Sequence, residues 1–367
     1  MVRGWTTSPD GRHHGAYTNE AARALGSRPD GFLDFSANIN PLGAPEAALT
    51  AAHNALREEI GVYPDLEYTE LRAALAGYLA VPGRTVLPTN GGAEALFLAA
   101  RVAAGEASGS ALILEPTFSE YVAAARAARL DVEHLVARRP GNEFRLDFNA
   151  LDNVLENSPG VRLVFLCNPN NPTGEAVSRA EVLRMADRVR QAGAVLVVDE
   201  AFADFAPNTS VADAVCEWLY VARSFTKFFA VPGLRLGCLV THDVERVRAF
   251  QPSWPVNAVA AAVGIAAAGD EGFAEATLAE VEPRRGELLR ALGGMKGITA
   301  YPGAANFLLA RGPHWLPERL ARRGILVRGC EPFVGLGPGF FRVAVRGAEE
   351  NGRLIEALRD VLGEAAS

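Results

Sequence analysis

The sequence predicts an α/β protein: a large domain with a mostly parallel central sheet sandwiched by helices, followed by a smaller α/β domain. Three observations predict it. Compact apolar runs at Ser110–Leu114, Val161–Leu166 and Ala194–Val198 are each bounded by turn residues and followed by a helical pattern. Buried strands alternating with helices read as a parallel sheet covered on both faces. The chain has 367 residues, and single cores stop growing at roughly 250–300, so a second domain is expected.

Residues Pro45–Glu59, Tyr68–Leu79, Ala93–Ala104, Glu120–Ala128 and Arg179–Ala192 carry helical periodicity. A long Ala-rich helical pattern runs from Val256 to about Leu292. Beyond it, Ala305–Ala310, Ile325–Arg328 and Phe340–Val345 read as strands of a second sheet, and Ala348–Leu362 as a closing helix. The Pro-containing loop Gln251–Pro255 marks a boundary. The expected division is an N-terminal arm over 1–45, a large domain over 46–250 and a small domain over 251–367.

Composition narrows the class. Hydrophobic residues make up 49% and charged residues 22%, with 36 Lys+Arg against 43 Asp+Glu and a net charge of −7. That balance argues against non-specific nucleic-acid binding. Val256–Ala268 falls short of a membrane span. The N-terminal stretch has no apolar signal region, so a cytoplasmic protein is expected. Cys167, Cys216, Cys238 and Cys330 lack metal or disulfide spacing, which suits free thiols and no metal.

Four segments carry chemistry. Thr89-Asn90-Gly91-Gly92-Ala93-Glu94 leads into a helix, and N–H groups at a Gly-flexible helix start bind phosphate. Asn168-Pro169-Asn170-Asn171-Pro172-Thr173-Gly174 follows an apolar strand, at the end where open α/β sheets place ligands. Asp199-Glu200-Ala201-Phe202 puts a carboxylate at the end of another buried strand, where it needs a cationic or N–H partner. Ser224-Phe225-Thr226-Lys227 sets a lysine among apolar neighbours, which lowers its pKa and frees the amine for Schiff-base chemistry. Arg235, eight residues on, offers two N–H donors to a phosphate. Taken singly, each has a plainer account: a glycine turn, a tight turn, a helix cap or buried salt bridge, a solvated charge pair.

In this order and spacing, the four segments resemble the aspartate-aminotransferase (fold type I) superfamily of pyridoxal-phosphate enzymes over essentially the whole chain. The resemblance implies an aspartate-aminotransferase-like fold with pyridoxal 5′-phosphate bound covalently by Lys227. It implies that Gly92, Ala93, Ser224 and Arg235 hold the cofactor phosphate, that Glu94 and Thr226 also belong to the cofactor site, and that Phe118 stacks on the ring. Asn171 would meet the ring hydroxyl and Asp199 the pyridine nitrogen. Tyr63 would reach the neighbouring subunit's phosphate, which implies a homodimer with shared sites. Phe202 departs from the pattern, since many members carry a tyrosine there that donates to the ring hydroxyl.

Within the superfamily, four segments resemble the threonine-phosphate decarboxylases of cobalamin biosynthesis more than the histidinol-phosphate aminotransferases. They are His14-Gly15, Asp34–Gly43, Trp254-Pro255-Val256-Asn257 and Arg328–Phe333. The first reads His14-Gly15-Ala16-Tyr17 where that branch usually has His-Gly-Gly-Asn. This resemblance implies substrate contacts from His14, Gly15, Asn38, Asn171, Arg328 and Arg342. Taken by themselves, the adjacent His13-His14 suit an exposed loop and Arg328 a surface strand. The implied reaction is decarboxylation of L-threonine O-3-phosphate to (R)-1-amino-2-propanol phosphate and CO2. The alternatives are transamination of a phosphorylated amine with 2-oxoglutarate, and a catalytically silent binding protein of the same fold.

Overall fold

A computed structural model of the chain describes residues 15–105 and 108–364. Strands are numbered in chain order: β1 (Leu33–Asp34), β2 (Val86–Asn90), β3 (Ser110–Glu115), β4 (Asp131–Val136), β5 (Val161–Cys167), β6 (Val195–Asp199) and β7 (Leu219–Ser224). They continue as β8 (Leu236–Val240), β9 (Thr299–Tyr301), β10 (Phe307–Arg311), β11 (Ile325–Leu326), β12 (Arg328–Gly329) and β13 (Phe340–Ala344).

The large sheet has seven strands in the order β2-β8-β7-β6-β5-β3-β4. The pairs from β7 to β4 are all parallel, and β8 runs antiparallel to both neighbours. The inner strands are apolar along their length because both faces are covered. On β5, Leu163, Phe165 and Cys167 join one core while Val164 and Leu166 join the other, as the two-residue period of a strand requires. Helices Gly91–Ala104 and Glu120–Ala127 fill the first face; Thr69–Leu79, Arg179–Gln191 and Ala258–Ala268 fill the second. Edge strand β4 carries Asp131, Glu133 and His134, charges that discourage further pairing.

A smaller antiparallel sheet, β12-β13-β10-β9, is built from the C-terminal part of the chain. β1 and β11 form a separate parallel pair, which ties the N-terminal segment to the C-terminal third. Past residue 250 the chain first adds helix Ala258–Ala268 to the larger core. There Gly264 packs so closely that a Cβ would lie 2.7 Å from Leu71 and 2.8 Å from Leu236.

Two expectations need correction. The helical pattern from Val256 to Leu292 is two helices, Ala258–Ala268 and Glu271–Gly293. Gly269 ends the first, and the Asp270 side chain caps the second by accepting from Phe273 N–H. The segment Ile325–Arg328 is two strands belonging to different sheets, Ile325–Leu326 with β1 and Arg328–Gly329 with β13. Among the described residues no helix is long and apolar enough to cross a membrane. The four cysteines are free, with only Cys216 exposed.

Candidate active site

The parallel sheet brings its loops together. Cys167 of β5 lies opposite Asp199 of β6, and Asp199 lies opposite Ala222 of β7. The segments that follow these strands therefore emerge side by side at the carboxyl edge, where α/β sheets hold ligands. A cleft of about 250 Å³ opens there, and Asn171, Asp199, Ser224, Thr226 and Lys227 line it.

Three glycines decide how close the backbone comes. A Cβ on Gly92 would sit 2.9 Å from Ser224 Cβ, and one on Gly91 would sit 2.8 Å from the Arg235 guanidinium. A Cβ on Gly237 would lie 2.5 Å from the Gly91 carbonyl carbon. Their absence packs the end of β7, the start of β8 and the first turn of helix Gly91–Ala104 into one cradle. Gly92, Ala93, Ser224, Thr226 and Arg235 face the cleft from it, and the helix start offers unpaired N–H groups and a positive dipole end. Ser224 and Thr226 hydroxyls lie 2.9 Å apart. Glu94, by contrast, does not line the cleft. Its carboxylate accepts from Asn90 N–H at 2.6 Å and from Gln251, so it serves the helix start from outside.

Asp199 is buried, its two oxygens accepting from Tyr121 Oη at 2.8 Å and Ala201 N–H at 2.9 Å. Burial pushes its pKa up to about 6 and Glu200 adds to the rise, while both hydrogen bonds and Arg223 oppose it. Lys227 is shifted the other way, down to about 8. Burial is the main cause, the positive charges of Arg235 and Arg342 add to it, and Asp199 resists. The turn that carries Lys227 is fastened from below by Asn40, whose backbone N–H donates to Lys227 O and whose amide donates to Phe228 O and Thr277 Oγ1.

The other wall comes from the small sheet and the N-terminal segment. Arg328 and Arg342 are paired residues on β12 and β13, both buried and both lining the cleft. Burial lowers both pKa values, that of Arg342 to about 10 with the neighbouring Arg328 contributing. Arg342 donates to Ser36 O at 2.7 Å and to Asn171 Oδ1. Gly15, Asn38 and Phe118 complete the lining, and Asn38 Oδ1 is buried without a hydrogen-bond donor among the described residues. His14 lies outside the described residues. Tyr63 is 79% exposed, away from the cleft of its own chain, with its ring against Trp254 at 4.4 Å.

The cleft thus gathers Lys227, Arg235, Arg328 and Arg342 around Asp199, the one carboxylate that lines it among the described residues. That set suits a ligand with a phosphate, a carbonyl for the amine and a protonated ring nitrogen for the buried acid. A family model for aminotransferase class I and II matches residues 30–358. The chain belongs to this family. Its cofactor is pyridoxal 5′-phosphate, and the glycine cradle, the weakly basic Lys227 and the buried Asp199 fit that group.

This aminotransferase class I and II protein is 39% identical to a threonine-phosphate decarboxylase of Salmonella typhimurium, over 95% of this chain and 96% of that one. It is 32% identical to an adenosylcobalamin biosynthesis bifunctional protein of Leptospira interrogans, over 95% of this chain and 41% of the longer relative. Among solved structures, a histidinol-phosphate aminotransferase of Clostridium acetobutylicum superposes with a TM-score of 0.82 at 27% identity, over 90% of this chain and 99% of that one.

Three residues near the site escape motif reading. Tyr121 follows Phe118 by one turn and is fully buried beneath Asp199. Phe307 comes from β10, more than a hundred residues from Asp199 in sequence. Asn40 lies within the Asp34–Gly43 segment, but its grip on Lys227 depends on a contact across 187 residues of chain. Only the spacing Phe118–Tyr121 hints at any of them.

Proposed function

We propose that the protein is a pyridoxal-phosphate-dependent decarboxylase that converts L-threonine O-3-phosphate to (R)-1-amino-2-propanol phosphate and CO2, a step of cobalamin biosynthesis. The observation that carries this reading is the buried pair Arg328–Arg342 in the same cleft as Lys227. Two guanidiniums match a substrate with a carboxylate and a phosphate, and desolvating a phosphate dianion needs such donors. The names of the Salmonella and Leptospira relatives support the same reading.

On this reading Lys227 would hold the cofactor covalently, and its amine stands beside the substrate site. Gly92, Ala93, Ser224, Thr226 and Arg235 would hold the cofactor phosphate, Phe118 would pack against the ring, and Asn171 and Asp199 would serve as partners for its polar groups. The bound cofactor supplies an electron sink next to the substrate α-carbon, which no side chain here provides. Arg342 grips the carboxylate, and Arg328, Asn38 and Gly15 receive the phosphate end. The carboxylate leaves as CO2, its bonding pair stays with Cα, and a proton from Lys227 replaces it. A pKa of about 8 lets this amine exist in both protonation states near neutral pH.

A second copy of the chain completes the site. Leu49, Leu56, Ile60, Val62 and Tyr63 are all about half exposed or more, and Leu49 and Leu56 share one face of helix Glu46–Glu58. Exposed apolar residues of this kind suit an interface, and across it Tyr63 would reach a neighbour's phosphate cradle. The cytoplasm is the expected compartment.

The superposition on a histidinol-phosphate aminotransferase supports a second reading, amino transfer. Incubation with L-threonine O-3-phosphate and no keto acid separates the two. Stoichiometric CO2 is expected; turnover that requires 2-oxoglutarate and yields glutamate would establish the transaminase.

A further inference from the structure

Arg342 is held by more than hydrogen bonds. Its guanidinium carbon stands 5.2 Å from the centroid of the Phe307 ring. Phe307 is fully buried and meets Phe202 edge to face, with centroids 5.0 Å apart and planes at 77°. Phe202 lies three residues after Asp199 and lines the cleft. A continuous stack, Phe202–Phe307–Arg342, therefore joins the end of β6 in the large sheet to β13 in the small one. Gly15 also closes on the guanidinium, where a Cβ would lie 3.5 Å from Arg342 Nη2. Arg342 Nε is buried with no acceptor among the described residues.

Two forces oppose this arrangement. Arg342 is desolvated, and Arg328 places a like charge on the adjacent strand. A buried cation beside another cation needs compensation; among the described residues Ser36 O, Asn171 Oδ1 and the face of Phe307 touch the guanidinium, while Asp34 and Cys330 act on it from farther off. The two hydrogen bonds fix two nitrogens, while the aromatic face fixes the plane in which the guanidinium presents its donors.

We propose that Phe307, buttressed by Phe202, is the positioning residue that sets the guanidinium plane of Arg342 and so the direction in which the substrate carboxylate is held. This rests on the proposed decarboxylase reading and deepens it. Which bond to Cα is aligned for cleavage depends on where the carboxylate is pinned. Phe202 adds a second consequence: its ring packs T-shaped against Phe307, a contact in which a tyrosine hydroxyl has no part.

The test uses holoenzyme and two ligands that lack the reacting amine. 3-(Phosphonooxy)butanoate carries both carboxylate and phosphate; isopropyl phosphate carries the phosphate alone. Phe307→Leu keeps the site apolar and removes the aromatic face. It should weaken the first ligand about tenfold, equivalent to ~1.4 kcal/mol, and leave the second unchanged. With L-threonine O-3-phosphate, the ratio of 2-keto acid to CO2 should rise. Phe307→Met, nearer in volume, repeats the measurement should the leucine variant fail to fold. Equal weakening of both ligands, or a lower melting temperature with unchanged affinities and product ratio, would mean that Phe307 only packs, and the proposal would be wrong. If wild-type enzyme binds isopropyl phosphate but not 3-(phosphonooxy)butanoate, the substrate reading fails, which is a distinct result.

Discussion

The buried carboxylate of Asp199 makes the protein freed of cofactor less stable than it would be with a neutral group there. The folded pKa is about 6 against an ordinary 3.8, a difference equivalent to roughly 3 kcal/mol. Below 3.8 the carboxyl is protonated in both states and burial costs nothing. Between 3.8 and about 6 the unfolded chain releases its proton while the folded one retains it. Stability therefore falls across this window and stays lower above it. Asp199→Asn removes the charge but keeps the shape. Its oxygen still accepts from Ala201 N–H, and its amide donates to a Tyr121 hydroxyl turned to accept. The cofactor-free variant should thus be more stable than cofactor-free wild type at pH 8, by several degrees in thermal melts, and the gap should close near pH 4. Glu115 and Glu175, also raised by burial to about 7, titrate alike in both proteins and cancel. In the holo form the order should reverse, because asparagine cannot stabilise a protonated ring nitrogen. A cofactor-free variant no more stable than wild type at pH 8, or a gap independent of pH, would refute the assignment of Asp199 as a buried acid awaiting a cationic partner.

Other outcomes follow from the same geometry. Lys227→Ala should abolish decarboxylation and the visible absorbance of bound cofactor, read by spectrophotometry after gel filtration. In wild-type protein the rate of covalent cofactor capture should rise with pH and level off just above 8, where an ordinary lysine would continue to above 10. Gly92→Ala sets a Cβ 2.9 Å from Ser224 Cβ; forcing the cradle apart costs about 1–3 kcal/mol, and a ten- to hundredfold loss of cofactor affinity by fluorescence titration is expected. Leu56→Glu puts a charge on the half-exposed apolar face and should yield monomers in analytical ultracentrifugation, with activity lost in parallel.

The strands that could be read from sequence are those whose apolar run stands alone between turn residues: β3, β5 and β6 in the large sheet, and β10 and β13 in the small one. Strand β7 was not legible as one, since Leu219–Ser224 contains Arg223, a buried cation. Its charge is met by Glu200 and Asp204, two partners whose proximity no local pattern displays. Strand β4, Asp131–Val136, mixes charged and apolar residues at an edge without strict alternation, and β11 and β12 look like one strand until their partners differ. The helix break at Gly269-Asp270 had a capping signal, but the Ala-rich periodicity on either side masked it. At the site, Glu94 followed the glycines in sequence but turned outward, because a residue at the first helical turn can cap the helix from its solvent side.

The sequence by itself determined the cofactor chemistry. Gly91-Gly92 start a helix, Asp199 ends β6, Asn171 and Lys227 lie in the segments after β5 and β7, and Arg235 immediately precedes antiparallel β8, so the order of strands and helices collects them at one edge. The tertiary structure alone decided what surrounds that chemistry. Tyr121 beneath Asp199, Asn40 beneath Lys227, and Phe307 between Phe202 and Arg342 are contacts between elements far apart in the chain. Their effect comes from burial, which shifts the pKa values of Asp199 and Lys227 and fixes the plane of Arg342, and burial exists only once the two sheets close on one another.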